Sequence, residues 1–250
     1  MLIRKIAVEN VRSFLDRQEL AFDGEVSIII GPNGGGKTNL LDAIVTMLRR
    51  YLLATPYLEQ VSFSDGRVAW QLQPNQNLNS LMLEKHATAQ DKSQLIEITV
   101  EVSESDLTNM QRMKDEADEI KTAQNRVYHV DPWANAAVWD IDAITPKMQL
   151  TYICQDGMMI PPSDSRSLHF LQYLQLFEFD NSSRYELKKD TLQLPMIYLP
   201  VNRASGGFQS RVTLANFSDQ DQKRALDTTN SRSGQSNVVA LAIGRLGKRY

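Results

Sequence analysis

The stretch GPNGGGKT at residues 31–38 decides the fold of this chain. It follows the apolar run VSIII at residues 26–30 and opens into the amphipathic stretch NLLDAIVTML at residues 39–48. A strand, a glycine-rich loop and a helix in this order are the context in which G-x-x-x-x-G-K-[ST] forms a phosphate-binding loop. The glycines let backbone N–H groups turn inward, and the helix N-terminus adds partial positive charge. The sequence therefore predicts that the chain binds a nucleoside triphosphate.

Two side chains of the loop carry the predicted chemistry. Lys37 is the predicted catalytic residue, because its ammonium can reach the β- and γ-phosphates and stabilise the transferred phosphoryl group. Thr38 is the predicted Mg²⁺ ligand through its hydroxyl. We find no N-K-x-D guanine-reading element, which favours ATP over GTP. The nucleotide contacts predicted from the glycine motif itself are Gly34, Gly35, Gly36, Lys37 and Thr38.

Composition limits the class of protein. The 250 residues are 42% hydrophobic, enough for a packed core, and the formal net charge of −3 gives no bulk electrostatic attraction to nucleic acid. The single cysteine, Cys154, excludes an internal disulfide and a cysteine-rich metal site, and its apolar neighbours predict a buried thiol. The sequence contains neither a signal-peptide pattern nor an apolar run long enough for a membrane span. We therefore expect a cytoplasmic globular protein.

Periodicity predicts an alternation of strands and helices around the loop. Residues 55–92 are polar and weakly patterned, which predicts a loop-rich insertion or an edge hairpin. Ser103 and Ser105 are the two predicted N-cap candidates of the helix at residues 106–125. Strands are predicted at residues 2–9, 18–22, 26–30, 95–102, 139–144, 149–154 and 194–200, and helices at 37–53, 106–125, 167–177 and 237–246.

The N-terminal motifs resemble a known family of ATPases. Residues 6–14 (IAVENVRSF) and 31–44 (GPNGGGKTNLLDAI) are similar to the corresponding segments of the ABC-type P-loop ATPases of the RecF, SMC and OLD group. The resemblance implies an α/β fold, namely a P-loop NTPase head of the ABC type with an N-terminal antiparallel β-segment and an inserted helical or loop region. It further implies three parts: an N-terminal β-segment with the P-loop at 1–55, a mixed lobe at 56–190, and the start of the C-terminal half of the head at 191–250.

The same resemblance implies additional site residues. Arg12 and Phe14 would lie near the adenine and triphosphate, and Asn33 would face the γ-phosphate side of the loop. Asn39 belongs to the motif that follows the lysine and is included among the nucleotide-binding residues. Proteins of this group sandwich two ATP molecules between two heads, which implies a homodimer or higher oligomer.

Two elements of an ABC-type ATPase are missing from the sequence. We find no run of four apolar residues followed by Asp-Glu, and SGGFQ at residues 205–209 is only superficially similar to the signature loop. Two interpretations remain open. Either the polypeptide continues beyond residue 250, which the abrupt end of the last predicted helix favours, or the chain binds ATP without hydrolytic acids of its own.

A second, shorter resemblance concerns the biological setting. Residues 196–203 (MIYLPVNR) are similar to a segment of PtuA-type defence ATPases of Septu and retron systems. This implies an ATP-dependent switch in anti-phage defence, acting with DNA, a retron nucleoprotein or an HNH-type nuclease partner. The alternatives are a RecF- or SMC-like DNA repair ATPase and an ATP-binding regulatory scaffold. A small-molecule kinase and a transporter subunit fit the N-terminal motifs less well.

Overall fold

The computed structural model describes residues 1–24, 26–53, 57–73, 83–125, 131–193 and 195, with the backbone alone at 57–61 and 69–73. The predictions for residues 194–200, 205–209 and 237–246 therefore lie outside the described residues, apart from residue 195. The chain divides into two units, Met1–Asp180 and Asn181–Tyr250. The main sheet and the glycine loop both belong to the first unit.

A five-stranded antiparallel sheet, in the order β2-β1-β5-β6-β7, forms the centre of the first unit. A separate hairpin pairs β3 with β4. Helix α1 continues into a π-helical turn at Met47–Leu52. The elements, in chain order, are β1 (Leu2–Glu9), β2 (Gln18–Ala21), α1 (Lys37–Thr46), β3 (Tyr57–Ser62), β4 (Val68–Gln73), β5 (Leu95–Glu101), α2 (Glu104–Ala123), β6 (Gln149–Gln155), β7 (Met158–Ile160) and α3 (Ser165–Glu186).

One face of the sheet is apolar because every second residue of β5 and β6 is buried there, next to buried residues of β1. The register aligns them across the strands, so that Ile6 lies opposite Ile98 and Ile98 opposite Tyr152. All three are at most 1% exposed. The hydroxyl of Tyr152 donates to the backbone carbonyl of Ser167 at 3.0 Å, which ties this face to α3, and burial raises the pKa of Tyr152. Buried alternation of this kind is what fixes strand register.

The opposite face of the sheet carries ion pairs. Glu97 on β5 accepts from Lys5 at 2.7 Å and from Arg17 at 3.1 Å. Burial alone would raise the pKa of Glu97, but the hydrogen bonds from Lys5 and Arg17 outweigh it and lower that pKa below its ordinary value. The bond to Glu97 in turn raises the pKa of Lys5. These pairs join β1 and β5 to the segment that leads into β2.

Helix α2 begins at a capping box. Ser103 accepts from the backbone N–H of Asp106 at 3.3 Å, and Asp106 accepts from the backbone N–H of Ser103 at 3.0 Å. The other carboxylate oxygen of Asp106 accepts from the Tyr173 hydroxyl of α3 at 3.2 Å, and Asn109 donates to that hydroxyl. Burial, reinforced by Asp106, raises the pKa of Tyr173. The two helices are therefore joined through a buried polar cluster.

Most predicted elements in the described residues are confirmed. The strands at 2–9, 18–22, 95–102 and 149–154 and the helices at 106–125 and 167–177 appear within a few residues of their expected bounds, and α3 is longer than expected. Of the two predicted caps, Ser103 is the N-cap of α2, and the polar insertion contains a hairpin, one of its two predicted forms. Cys154 is buried at 2% exposure, and burial raises the pKa of its thiol. None of the helices in the described part of the chain is long and apolar enough to cross a membrane.

Two predicted strands are wrong. Residues 26–30 form no strand, because none of the described strands pairs with them, and Val26, Ile28 and Ile30 are 80 to 88% exposed. Residues 139–144 form turns, in which the N–H of Ile144 donates to the carbonyl of Ile141 at 2.9 Å. Their alternation of apolar and acidic residues has the period of a strand, but here Trp139 and Ile144 reach the core from an irregular loop.

Candidate functional site

The glycine loop has the backbone conformation that its sequence requires. Gly34 and Gly36 both have φ of +80°, a region that residues with a side chain rarely adopt. The N–H of Gly35 donates to the carbonyl of Pro32 at 3.1 Å. Gly36 is the N-cap of α1, so the loop ends at the positive end of that helix. The backbone of the loop therefore lies at the end of α1 where the helix dipole stabilises a bound anion most strongly.

Lys37 lies over the loop that precedes it. Its ammonium donates to the carbonyl oxygens of Gly31 at 2.8 Å and Pro32 at 2.7 Å. The ammonium is exposed, and phosphate oxygens are acceptors that can replace these carbonyls. Thr38 and Asn33 are also exposed on the same stretch. The predicted phosphate-binding groups are thus accessible from solvent.

A tight turn at residues 10–14 lies against the last glycine of the loop. Asn10 and Arg12 have φ of +52° and +45°, and Val11 and Phe14 exchange backbone hydrogen bonds of 2.9 and 2.8 Å across the turn. A Cβ added to Gly36 would lie 2.9 Å from Cζ of Phe14 and 3.0 Å from the hydroxyl of Ser13. The turn and the phosphate loop are therefore in direct contact, although they are distant in sequence.

Side chains of α1 connect to the same turn. Nη1 of Arg12 donates to the carboxylate of Asp42 at 2.5 Å and lies 3.4 Å from the amide oxygen of Asn39. The amide nitrogen of Asn39 donates to the hydroxyl of Ser13 at 2.8 Å. Asn39 and Asp42 are three residues apart and share one face of the helix. The structure thus brings Arg12 and Asn39 together beside the loop.

The side chain of Asn10 joins the turn to the segment before β5. It is 1% exposed, and its amide donates to the carbonyls of Ala89 at 2.8 Å and Lys92 at 2.9 Å. Its side-chain oxygen accepts from the N–H of His86 at 3.1 Å, and the N–H of Arg12 donates to the carbonyl of Glu84 at 2.9 Å. The segment before β5 is therefore bound to the turn that faces the phosphate loop.

Sequence reasoning missed three residues of this arrangement. Asn10 has a signal in the sequence, because asparagine adopts a positive φ more readily than most residues other than glycine. Asp42 lies in the motif that follows the lysine, and its i,i+3 spacing from Asn39 is the signal that could place the two side chains on one face of the helix. Ser13 carries no recognisable signal, because its contact depends on the approach of two distant segments.

A magnesium ion has a suitable donor in the first turn of α1. Mg²⁺ is held in proteins by few side-chain oxygens together with substrate phosphates, and Thr38 provides an exposed hydroxyl next to Lys37. Bound there with a nucleotide, the ion would neutralise charge on the β- and γ-phosphates. In the described part of the chain, no cluster of three or more His, Cys, Asp or Glu side chains could hold a metal ion.

We expect Gly36→Ala to be more destabilising than Gly34→Ala. Both glycines have φ of +80°, so each substitution carries the left-handed strain of about 1–2 kcal/mol. A Cβ at Gly34 meets nothing within 4 Å, whereas one at Gly36 overlaps Phe14. The added overlap should cost about 1–3 kcal/mol more in the free energy of unfolding, measured by denaturant titration without nucleotide. Equal losses in the two variants would contradict the contact with Phe14.

Comparisons with known proteins agree with the N-terminal motifs. Residues 2–130, just over half of the chain, match the family model described as "RecF/RecN/SMC N terminal domain". The matching region contains β1, the turn, the glycine loop and α1. It also contains β5 and α2, so the match extends beyond the phosphate-binding motif itself.

Individual relatives are similar over shorter stretches. The chain is 39% identical over 67 residues to a chromosome partition protein Smc of Chlorobaculum tepidum, covering 26% of this chain and 6% of the relative. It is 45% identical over 47 residues to a DNA replication and repair protein RecF of Oceanobacillus iheyensis, covering 19% and 12%. It is 48% identical over 50 residues to a DNA double-strand break repair Rad50 ATPase of Sulfurisphaera tokodaii, covering 20% and 6%.

Proposed function

Because the chain belongs to the RecF/RecN/SMC N-terminal domain family, we propose that it is an ATP-binding and ATP-hydrolysing protein that acts on DNA. The observation that carries the proposal is the left-handed glycine loop at the N-terminus of α1, with the Lys37 ammonium above it. This arrangement suits a triphosphate because backbone N–H groups, helix dipole and ammonium all favour negative charge at one place. The matched stretches span 6 to 12% of the three relatives described above, so the activity of the whole protein is part of the proposal.

Each predicted site residue has a role in this proposal. Lys37 is the catalytic residue that stabilises the transferred phosphoryl group, and Thr38 is the magnesium ligand. Arg12 provides a guanidinium beside the loop, and Asn33 faces the γ-phosphate. The remaining contacts to the nucleotide come from Asn39 and from the backbone of Gly34, Gly35 and Gly36.

The proposed mechanism is an ATP-dependent switch between single and paired heads. A homodimer, or a higher oligomer, would form when two ATP molecules are sandwiched between loops of opposite protomers. Binding energy at that interface would favour the paired conformation, and hydrolysis would reset it. Relatives named for chromosome partition and for DNA repair support DNA as the substrate on which the switch acts.

A role in anti-phage defence is a second candidate. It is supported by the segment MIYLPVNR at residues 196–203, which lies outside the described residues. In this setting the partner would be an HNH-type nuclease or a retron nucleoprotein. The formal net charge of −3 favours a protein partner over tight, sequence-independent DNA binding by the chain alone.

The proposal is tested by measuring binding and association of the full chain with Mg²⁺ and ATP. We expect ATP to bind in preference to GTP, and sedimentation velocity to show dimers that require ATP. Steady hydrolysis would support an enzyme, whereas tight ATP binding without turnover would favour the regulatory scaffold. Absence of ATP binding would contradict the proposal. Salt-sensitive affinity for duplex DNA would favour the repair setting over the defence setting.

A further inference from the structure

We infer that Asp42 is a positioning residue, which holds the guanidinium of Arg12 in the orientation that contacts the triphosphate. This inference rests on the proposed nucleotide site and assigns a role to a residue outside the predicted phosphate-binding set. Three sets of contacts carry it: the backbone of the turn at residues 10–14, the packing of that turn on the glycine loop, and the ion pair between Arg12 and α1.

The backbone of Arg12 is fixed. Its φ of +45° is held by the backbone pairing of Val11 with Phe14, and its N–H donates to the carbonyl of Glu84 at 2.9 Å. The neighbouring side chains Ser13 and Phe14 contact the site of a Cβ on Gly36. The start of the Arg12 side chain therefore has a constant position relative to the phosphate loop.

The end of the Arg12 side chain is fixed at a single nitrogen. Nη1 is bonded to Asp42 at 2.5 Å and lies near Asn39, and the side chains of Arg12 and Asp42 are 32% and 38% exposed. Among the described residues, Nε and Nη2 of Arg12 have no hydrogen-bond partner. A guanidinium that is bonded at one nitrogen keeps its other N–H groups available for a second anion. Lysine lacks this planar set of separate donors.

Helix geometry gives the distance between the ion pair and the start of α1. Asp42 follows Lys37 by five residues, which corresponds to about 7.5 Å along the helix axis at 1.5 Å per residue. The Arg12 side chain begins at the turn on Gly36 and ends at Asn39 and Asp42, so it lies alongside that first stretch of α1. Without Asp42, Arg12 would have to lose the rotamer freedom of a long side chain when phosphate binds.

The test is a double-mutant cycle on ATP affinity in the full chain. We expect Arg12→Ala to weaken Mg²⁺–ATP binding about tenfold, through loss of a charge-assisted contact. Asp42→Asn should weaken it about fivefold, through loss of preorganisation, and Asp42→Glu should recover part of that loss. In the Arg12→Ala background, Asp42→Asn should have no further effect. Inorganic tripolyphosphate should show the same pattern, because the contact is to phosphate.

Three outcomes would overturn the inference. Unchanged or tighter ATP binding by Asp42→Asn would mean that Asp42 competes with phosphate for Arg12. A loss that persists without Arg12 would indicate a structural role in α1. A loss that is restricted to ATP, with tripolyphosphate unaffected, would place the contact away from the phosphates. Lys37→Ala separates this inference from the proposed function: if that variant binds ATP as tightly as the wild type, the nucleotide site itself is wrong.

Discussion

Replacing Lys37 with alanine should weaken ATP binding by about 100-fold or more and abolish ATP-dependent association, because the ammonium is the main charged group above the loop. The ammonium is exposed, and among the described residues it bonds to carbonyls of its own loop, Gly31 and Pro32. Its removal should therefore leave the free energy of unfolding within about 1 kcal/mol of wild type. Loss of binding can then be assigned to the site rather than to unfolding.

Lys92→Ala is the matched control for this experiment. Lys92 is an exposed lysine on the segment before β5, so its substitution removes the same charge from the chain outside the loop. We expect its ATP affinity, measured by isothermal titration calorimetry, to stay within about twofold of wild type. Similar losses of ATP affinity in the two variants would mean that this affinity depends on the net charge of the chain alone. Full retention of ATP-dependent dimers by Lys37→Ala would rule out the proposed switch.

Replacing Asn10 with alanine should lower the free energy of unfolding by about 3 kcal/mol. The substitution removes the hydrogen bonds of the Asn10 side chain to the carbonyls of Ala89 and Lys92 and to the N–H of His86, of which the first is buried and the other two are half-buried. It also puts alanine at a φ of +52°. Because Asn10 joins the turn to the segment before β5, ATP affinity should fall together with stability. Denaturant titration measures the first effect and calorimetry the second.

Two further variants separate the causes. Asn10→Gly accepts the positive φ but loses the side-chain hydrogen bonds, so it should still lose about 2 kcal/mol. Asn125→Ala changes an exposed asparagine with φ of +47° at the end of α2, and should cost only the backbone strain of about 1 kcal/mol. If Asn125→Ala were as destabilising as Asn10→Ala, the buried hydrogen bonds would not be the source of the effect.

Local patterns were sufficient for much of the fold. The alternation in β5 and β6 follows from strands with one buried face, and Ser103 is a recognisable cap of α2. The stretch at residues 139–144 shows the limit of this reasoning. Its apolar residues are spaced as in a strand, but no local signal shows whether hydrogen-bonding neighbours are present on either side.

The phosphate loop could be predicted because all its parts are adjacent in sequence. The positive φ of Gly34 and Gly36 and the position of Lys37 at the start of α1 agree with the motif, whereas the roles of these residues in binding nucleotide stay predictions. The contacts of Asp42 and Ser13 could not be derived in the same way, because they depend on how the turn at residues 10–14 approaches α1. The segment before β5, which Asn10 contacts, is brought next to the turn at residues 10–14 by the long-range pairing of β1 with β5.

That pairing also determines where the chain can change in length. Glu9 at the end of β1 lies opposite Leu95 at the start of β5, so the pairing closes a long loop of chain, within which β2 also pairs with β1. The entropy of closing such a loop rises slowly, by about 0.6 kcal/mol for each doubling of its length. The hairpin turn between β3 and β4, where the N–H of Gly66 donates to Phe63, is therefore a permissive position for inserting a tag or a small reporter domain.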